Sequence, residues 1–459
     1  MAAAPFKRIL IANRGEIAVR VVRACQQLGI ESVVAVSEAD RDSLAASMAT
    51  RAVCIGPASA SQSYLRPELL VTAAAGTGCE AVHPGYGFLS ERAQFSRMCA
   101  EAGLTFIGPG PEAIEVMGDK LSAVKLAEEV GVPRVPGSGR VDNPDSARAF
   151  ARTHGYPVLI KASAGGGGRG MRVVRRDEEF ISQLAAAAAE AQAAFGDPSL
   201  YVEKFIERAR HIEIQVLGDK HGNIVHLGER DCSTQRRHQK LIEEAPSPVI
   251  DAKLRQELAD AAVRLARHVG YVGAGTVEFV FDDDTQRWYF LEMNTRIQVE
   301  HPVTEMVTGR DLVIEQIRVA AGAPISFTQE EVALSGHAIE CRINAEDASA
   351  NFAPRPGRLQ TWVAPAGEGV RIDTHCFSGY LVPPYYDSLL AKIIVHGRDR
   401  HEAVQRMQEA LGRLQISGVP TTAPFHQQVL AHRDFAGAAV TTRWVEETFL
   451  PSLKQAGAA

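Results

Sequence analysis

Over the first quarter of the chain, short apolar runs alternate with segments of helical period. Arg8-Ile9-Leu10-Ile11-Ala12 predicts a strand, and Ile17, Val21, Ala24 and Leu28 then fall on one face of a helix. Ser32 to Val36, Ala52 to Ile55, Ala81-Val82-His83 and Thr105 to Gly108 supply further strands with helical stretches between them. Strands alternating with helices in this way predict a doubly wound parallel sheet. Lys120 to Val130 has helical spacing and is stopped by Gly131-Val132-Pro133. From Pro133 to Phe205 the pattern is that of a small α/β unit. It holds strands at Pro157 to Lys161, Met171 to Val174 and Leu200 to Ile206, and an Ala-rich helix from Asp177 to Gly196. Arg210 to Val216 and Asn223 to Leu227 then predict antiparallel strands across a Gly218 to Gly222 turn. A helix carrying Leu254, Leu258, Ala262, Leu265 and Val269 leads to strands at Gly273 to Phe281 and Trp288 to Leu291, the latter read as buried. The class is α/β, α+β overall.

Beyond Leu291 the pattern changes chemically. Glu292, Asn294, Arg296, Gln298 and Glu300 occupy every second position before Pro302. An extended backbone would set all five on one face. That face offers hard oxygen ligands for a cation (Glu292, Asn294), a planar fork for an oxyanion (Arg296), a neutral amide (Gln298) and a carboxylate base (Glu300). The alternative is the solvated face of an edge strand. Glu278 and Glu292 fall on paired strands, and with Asn294 they form the oxygen-rich site Mg²⁺ uses when nucleotide phosphates complete its shell.

Composition narrows the class. The 459 residues, 46% hydrophobic and 23% charged, suit a globular enzyme of several domains. A net charge of −6 argues against a nucleic-acid surface over the whole chain and confines any phosphate site to local basic pockets. The first ten residues read as neither signal peptide nor membrane helix, so the expectation is a cytoplasmic protein with no membrane partner. Seven scattered cysteines without a C-x-x-C predict neither disulfides nor a zinc site. Between two predicted strands, Gly165, Gly166, Gly167 and Gly168 allow amide groups to fold over phosphates, as a mobile lid on a nucleotide. A flexible linker is the plainer alternative. The basic run from Glu229 to Lys240 leads into Leu241 to Pro246, read as a ligand-facing bend rather than a solvated charge run.

These segments together resemble the biotin carboxylases, the ATP-grasp subunits of biotin-dependent acyl-CoA carboxylases. The matching motifs are Ile11 to Ala18, His83 to Glu91, Met117 to Lys120, Lys161 to Met171, Glu229 to Lys240, Glu292 to Glu305 and Gly336 to Asp347. The resemblance implies an ATP-grasp fold with an amino-terminal sheet domain (1–118), an ATP-grasp domain (119–335) with its lid at about 133–205, and a carboxy-terminal domain (336–459). It implies ATP contacts from Lys120, Lys161, the four glycines, Glu203, Lys204, Ile206, His211, Gln235 and His238. Glu278, Glu292 and Asn294 would hold Mg²⁺ or Mn²⁺, and Lys240, Arg296, Gln298 and Val299 would hold bicarbonate. Glu300 matches the general base, and Arg342 the residue facing the ureido oxygen of biotin. The implied activity is the first half-reaction of acetyl-CoA or acyl-CoA carboxylase in fatty acid synthesis, in which ATP and bicarbonate carboxylate biotin through carboxyphosphate. No Met-Lys-Met tripeptide occurs in the chain. Either biotin sits on a separate carboxyl carrier protein, which is the expectation, or the chain is an excised piece of a longer enzyme; carboxyltransferase subunits and a homodimer are the further partners expected. A different ATP-grasp ligase making an acyl phosphate, and a non-catalytic nucleotide-binding regulator, stand as the competing readings.

Overall fold

A computed structural model describes residues 5–162 and 171–456. The chain divides into two compact units: Met1–Gly131, Arg210–Phe279 and Leu291–Ala459 form the first, and Val132–Ala209 with Val280–Phe290 the second.

In the first unit, β1 (Arg8–Ile11), β2 (Glu31–Val36), β3 (Arg51–Cys54), β4 (Ala81–His83) and β5 (Thr105–Phe106) form the expected parallel sheet, in the order β3-β2-β1-β4-β5. The order reverses between β1 and β4, and the crevice outside their carboxyl ends is where such sheets bind ligands. Asn13 closes that crevice by donating through Nδ2 to the carbonyls of Pro84 and Tyr86, both at 2.7 Å. Helix α1 (Gly15–Leu28) starts beside it, with Ile17, Val21 and Ala24 buried as their period requires.

In the second unit, β6 (Gly137–Arg140), β7 (Val158–Ala162), β8 (Met171–Val174) and β9 (Leu200–Lys204) form an antiparallel sheet in the order β6-β9-β7-β8. The helices Pro144–His154 and Phe180–Phe195 close over it through small side chains, Ala147, Ala151 and Ala187, against Val158, Ile160 and Val202.

The largest sheet joins β10 (Ala209–Gly218), β11 (Ile224–Arg236), β12 (Gln239–Ala245), β13 (Gly273–Asp282), β14 (Arg287–Asn294), β15 (His337–Asn344), β16 (Val370–Thr374) and β17 (Leu389–Gly397). Its order is β14-β13-β10-β11-β12-β15-β17-β16. Alternation gives its two faces opposite characters. Ile339, Cys341, Ile343, Ile393 and Val395 pack on Met407 and Leu411 in an apolar core. The other face carries Glu340, Arg342 and Lys392 on the same strands, all but closed off from solvent, with α2 (His301–Thr308) packed on it through Val303 and Val307. Buried charges are tolerated when paired: Arg342 meets Glu243 and Glu300 and Lys392 meets Glu16, while Glu340 has no ion-pair partner among the described residues.

Three expectations change. Strand β14 ends at Asn294, and residues 295–300 turn into α2, so the proposed five-residue alternating face does not exist. Leu291, expected in a buried strand, is 42% exposed. The run from Glu229 is neither bend nor solvated: β11 continues to Arg236, turns through Arg237 and His238 at φ 47° and 64°, and returns as β12. Arg237 at the turn is exposed, but Arg230 is buried and Lys240 largely so, because the neighbouring elements carry carboxylates to meet them.

Candidate active site

Irregular strand pairing builds the centre of the site. The register of β11 against β12 shifts between Asp231 and Thr234 and again between Thr234 and Gln235. Bulges re-aim side chains beside active sites, and here Lys240 and Cys232 both reach Glu300. Lys240 Nζ donates to Glu213 Oε2 at 2.6 Å, Glu278 Oε1 at 3.0 Å and Glu300 Oε1 at 2.6 Å. Cys232 Sγ lies 3.9 Å from the same Glu300 oxygen. Arg342 bridges from the far side, Nη2 to Glu300 Oε2 at 2.9 Å and Nε to Glu243 Oε1 at 2.6 Å. Glu300 is the residue before α2, with Pro302 in the helix's first turn, so a helix start rather than strand alternation aims its carboxylate.

Burial pushes the Glu300 carboxyl up, but Lys240, Arg342 and Arg230 outweigh burial and hold it below the ordinary value, against the nearby charge of Glu213. Lys240 stays protonated, because its carboxylates overcome its own desolvation. Arg230, fully buried, anchors the floor by donating to Glu213, Gln215, Thr276 and Thr304.

The second end of the site is oxygen-rich. Glu278 Oε1 accepts from Asn294 Nδ2 at 2.9 Å and Gln298 Nε2 at 3.0 Å, and His211 Nε2 lies 3.1 Å from Glu278 Oε2. Glu292 accepts no side-chain hydrogen bond among the described residues, and burial together with the charge of Glu278 raises its carboxyl. Two neighbouring carboxylates, with Lys120 and His211 only partly offsetting the charge on the Glu292 side, fit a hard divalent cation. Glu292 and Asn294 line a cavity of about 390 Å³ with Lys120, Glu91 and Met117. Arg296 donates to Glu91 Oε2 and to Asn294 Oδ1, both at 2.9 Å, and reaches Gln298 Oε1 at 3.4 Å. The Val299 carbonyl accepts from Lys392 Nζ at 2.7 Å.

The remaining candidates are dispersed. Gln235 is buried and donates to the Cys232 carbonyl at 3.2 Å, while His238 is exposed at the hairpin turn. Within the second unit, Lys161 pairs with Glu203 across β7 and β9, Lys204 Nζ donates to the Gly155 carbonyl at 2.9 Å, and Ile206 follows β9. Gly165, Gly166, Gly167 and Gly168 lie outside the described residues.

Residues 5–114 match the model of the biotin carboxylase N-terminal domain and residues 340–447 that of the biotin carboxylase C-terminal domain. Residues 119–328 match the carbamoyl-phosphate synthase L chain ATP-binding domain. The chain is 54% identical to biotin carboxylase 1 of Bacillus subtilis over 442 residues, 96% of this chain and 98% of that protein. The chain belongs to the biotin carboxylase family. Among solved structures it is similar to the biotin carboxylase domain of a thermophilic 2-oxoglutarate carboxylase bound to bicarbonate, at a TM-score of 0.92 and 47% identity, covering 96% and 98% of the two chains. The biotin carboxylase of Campylobacter jejuni, solved as a β,γ-ATP complex, follows at 0.88 and 46%, again covering 96% and 98%. These neighbours share the ATP-grasp fold of the family.

For this biotin carboxylase family member, sequence reasoning passed over Glu91, Glu213, Arg230, Glu243, Glu340 and Lys392 as members of the site. A signal for them exists. Ile212-Glu213-Ile214-Gln215 and Ile339-Glu340-Cys341-Arg342-Ile343 put a charged or polar residue at every second position between apolar ones, and Lys392 is a lone charge within Leu389 to Val395. A charge so enclosed by apolar neighbours on a strand must face partners rather than water.

Proposed function

We propose that the protein carboxylates biotin with bicarbonate at the expense of ATP, with Glu300 as the general base. The carrying observation is a fully buried Glu300 carboxylate held between Lys240 and Arg342, with the oxygen-rich Glu278, Glu292 and Asn294 close behind. Bicarbonate is a poor nucleophile. In this reading Lys240, Arg296, Gln298 and Val299 hold it, and its arrival draws the charge of Lys240 and Arg296 away from Glu300 and Glu91. Glu300 then gains proton affinity and takes the bicarbonate proton as the oxygen attacks the γ-phosphate of ATP. Carboxyphosphate and ADP result, and carboxyphosphate delivers CO₂ to biotin. The phosphate released with that CO₂ takes the N1′ proton of biotin, and Arg342, facing the ureido oxygen, stabilises the resulting enolate, whose N1′ then bonds to CO₂. Mg²⁺, held by Glu278, Glu292 and Asn294, would offset charge on the ATP phosphates. Lys120, Lys161, Glu203, Lys204, Ile206, His211, Gln235, His238 and the four glycines at 165–168 are proposed as the nucleotide contacts.

The proposed domain division is 1–118, 119–335 and 336–459, and the proposed partners are a biotinylated carrier, a carboxyltransferase and a second copy of this chain. The biotin carboxylase domain of Hydrogenobacter thermophilus 2-oxoglutarate carboxylase was solved as a dimer with MgADP and bicarbonate. The proposed compartment is the cytoplasm; among the described residues no helix is long and apolar enough to cross a membrane. The test is ADP formation by purified protein with and without bicarbonate and free biotin. Turnover that requires bicarbonate and rises with biotin is expected. ATP hydrolysis indifferent to both would remove the proposal.

A further inference from the structure

Behind Arg342 lies a pair of carboxylates that the reaction as written does not use. Glu243 on β12 and Glu340 on β15 are register partners, so they stand side by side on the charged face, with Cβ atoms about 5 Å apart. Both are fully buried. Glu243 gives Oε1 to Arg342 Nε, but its Oε2 and both oxygens of Glu340 have no hydrogen-bond partner among the described residues.

The charged groups facing the pair are committed elsewhere. Arg342 spends Nε on Glu243 and Nη2 on Glu300. Lys392, on the neighbouring β17, directs Nζ to the Val299 carbonyl, with Glu16 at 3.3 Å and Asp373 at 3.8 Å. Lys240 is shared among Glu213, Glu278 and Glu300, and Glu300 itself adds a negative charge before α2. Two adjacent carboxylates with three oxygens lacking donors cannot both stay ionised at this depth; one must keep a proton. Burial and the charge of Glu243 push Glu340 well above the ordinary carboxylate range, against Lys392 and Arg342, and burial lifts Glu243 to about 7, against Arg342.

We propose that Glu243 and Glu340 hold one proton between them and act as a positioning pair for Arg342. A singly charged pair balances Glu300 across the guanidinium, leaving Nη2 on Glu300 until the ureido oxygen of biotin draws it forward. Loss of the shared proton doubles the pull behind Arg342 and withdraws it from both Glu300 and biotin. The positioning role rests on the reading of Arg342 given above; the shared proton does not.

Two measurements separate those parts. Infrared spectra of the full-length protein at neutral pH, compared between wild type and Glu340→Gln, read the carbonyl stretch of a protonated carboxyl directly. The expected result is a band, shifted by D₂O, that Glu340→Gln removes; equal protonated-carboxyl intensity in the two proteins overturns the proposal. The second measurement is the pH profile of biotin-dependent ADP formation, each protein normalised to its own maximum. In Glu340→Gln the pair cannot lose a second proton, so the alkaline limb moves up by about one pH unit or more. An unmoved limb removes the positioning role, since a merely structural contact leaves the limb in place. Glu243→Gln provides a second variant: with the anchor of Arg342 Nε weakened, KM for free biotin rises by a larger factor than kcat falls. A fall in kcat alone contradicts it. Failure of wild type to turn over ATP with bicarbonate would count against the proposed function and leave the infrared result standing.

Discussion

Lys240→Met removes the cation at the centre of three buried carboxylates. Its Nζ lies 2.6 Å from Glu213 and Glu300 and 3.0 Å from Glu278, so each attraction is about 5.5–6.5 kcal/mol at an effective dielectric of about 20. Desolvation of the ammonium offsets much of that sum, and Arg230, His211 and Arg342 remain to hold one carboxylate each. The net loss expected from breaking such a buried cluster is about 3 kcal/mol. Protonation limits the loss. In the native protein Glu300 sits below its unfolded value, so its contribution to stability is present above that value and lost as pH falls. Without Lys240 its carboxyl is raised, the sign reverses, and the variant is penalised most at high pH. Urea unfolding should therefore show a loss of about 3 kcal/mol at pH 8 and about half that at pH 5.5, with the acid limb of ADP formation moved up by about 2 pH units. A stability loss equal at the two pH values, with an unmoved acid limb, would refute the electrostatic reasoning.

Three further outcomes are expected. Glu305 is held at about 2 by Arg20 and Arg371, despite burial, so it contributes stability above its unfolded value near 4.5 that disappears as pH falls toward 2. Glu305→Gln should cost about 3 kcal/mol at pH 7 by denaturant unfolding and nothing near pH 2; an equal cost at both contradicts it. Lys392→Met leaves the Val299 carbonyl and Glu16 without their ammonium. KM for bicarbonate should rise about tenfold with little change in KM for ATP, and parallel changes in both would argue against a bicarbonate role for Val299. Glu292→Gln should raise the Mg²⁺ concentration needed for half-maximal ADP formation about tenfold or more; an unchanged requirement removes Glu292 from the metal end.

The parallel sheet was legible because its central strands β2, β1 and β4 are short runs that are mainly apolar and buried, as burial on both faces demands; the edge strands β3 and β5 carry less of that signal. In the second unit, β7, β8, β9 and the Ala-rich helix were legible, but β6, whose sequence Gly137-Ser138-Gly139-Arg140 carries no apolar signal, and the helix Pro144–His154 were not. The site was legible in its chemistry and not in its geometry. Period 2 places Glu292 and Asn294 correctly because β14 reaches Asn294, and it fails for Arg296, Gln298 and Glu300 because the chain turns into a helix whose start aims Glu300. Nothing local signals the register shifts that bring Cys232 and Lys240 to one carboxylate, since a bulge is set by pairing with a strand elsewhere in the chain. The basic run at 229–240 misleads when read alone. Its partners Glu213 and Glu300 come from β10 and the start of α2, and only the assembled sheet shows that the charges are neutralised.

Glu300→Gln tests the assignment of the base most directly, because it keeps the shape of the side chain and removes only its capacity to take a proton. ATP affinity, read by calorimetric titration, should stay within about threefold of wild type while bicarbonate-dependent ADP formation falls about 100-fold or more. Turnover at the wild-type rate with intact nucleotide binding would contradict the role given to Glu300.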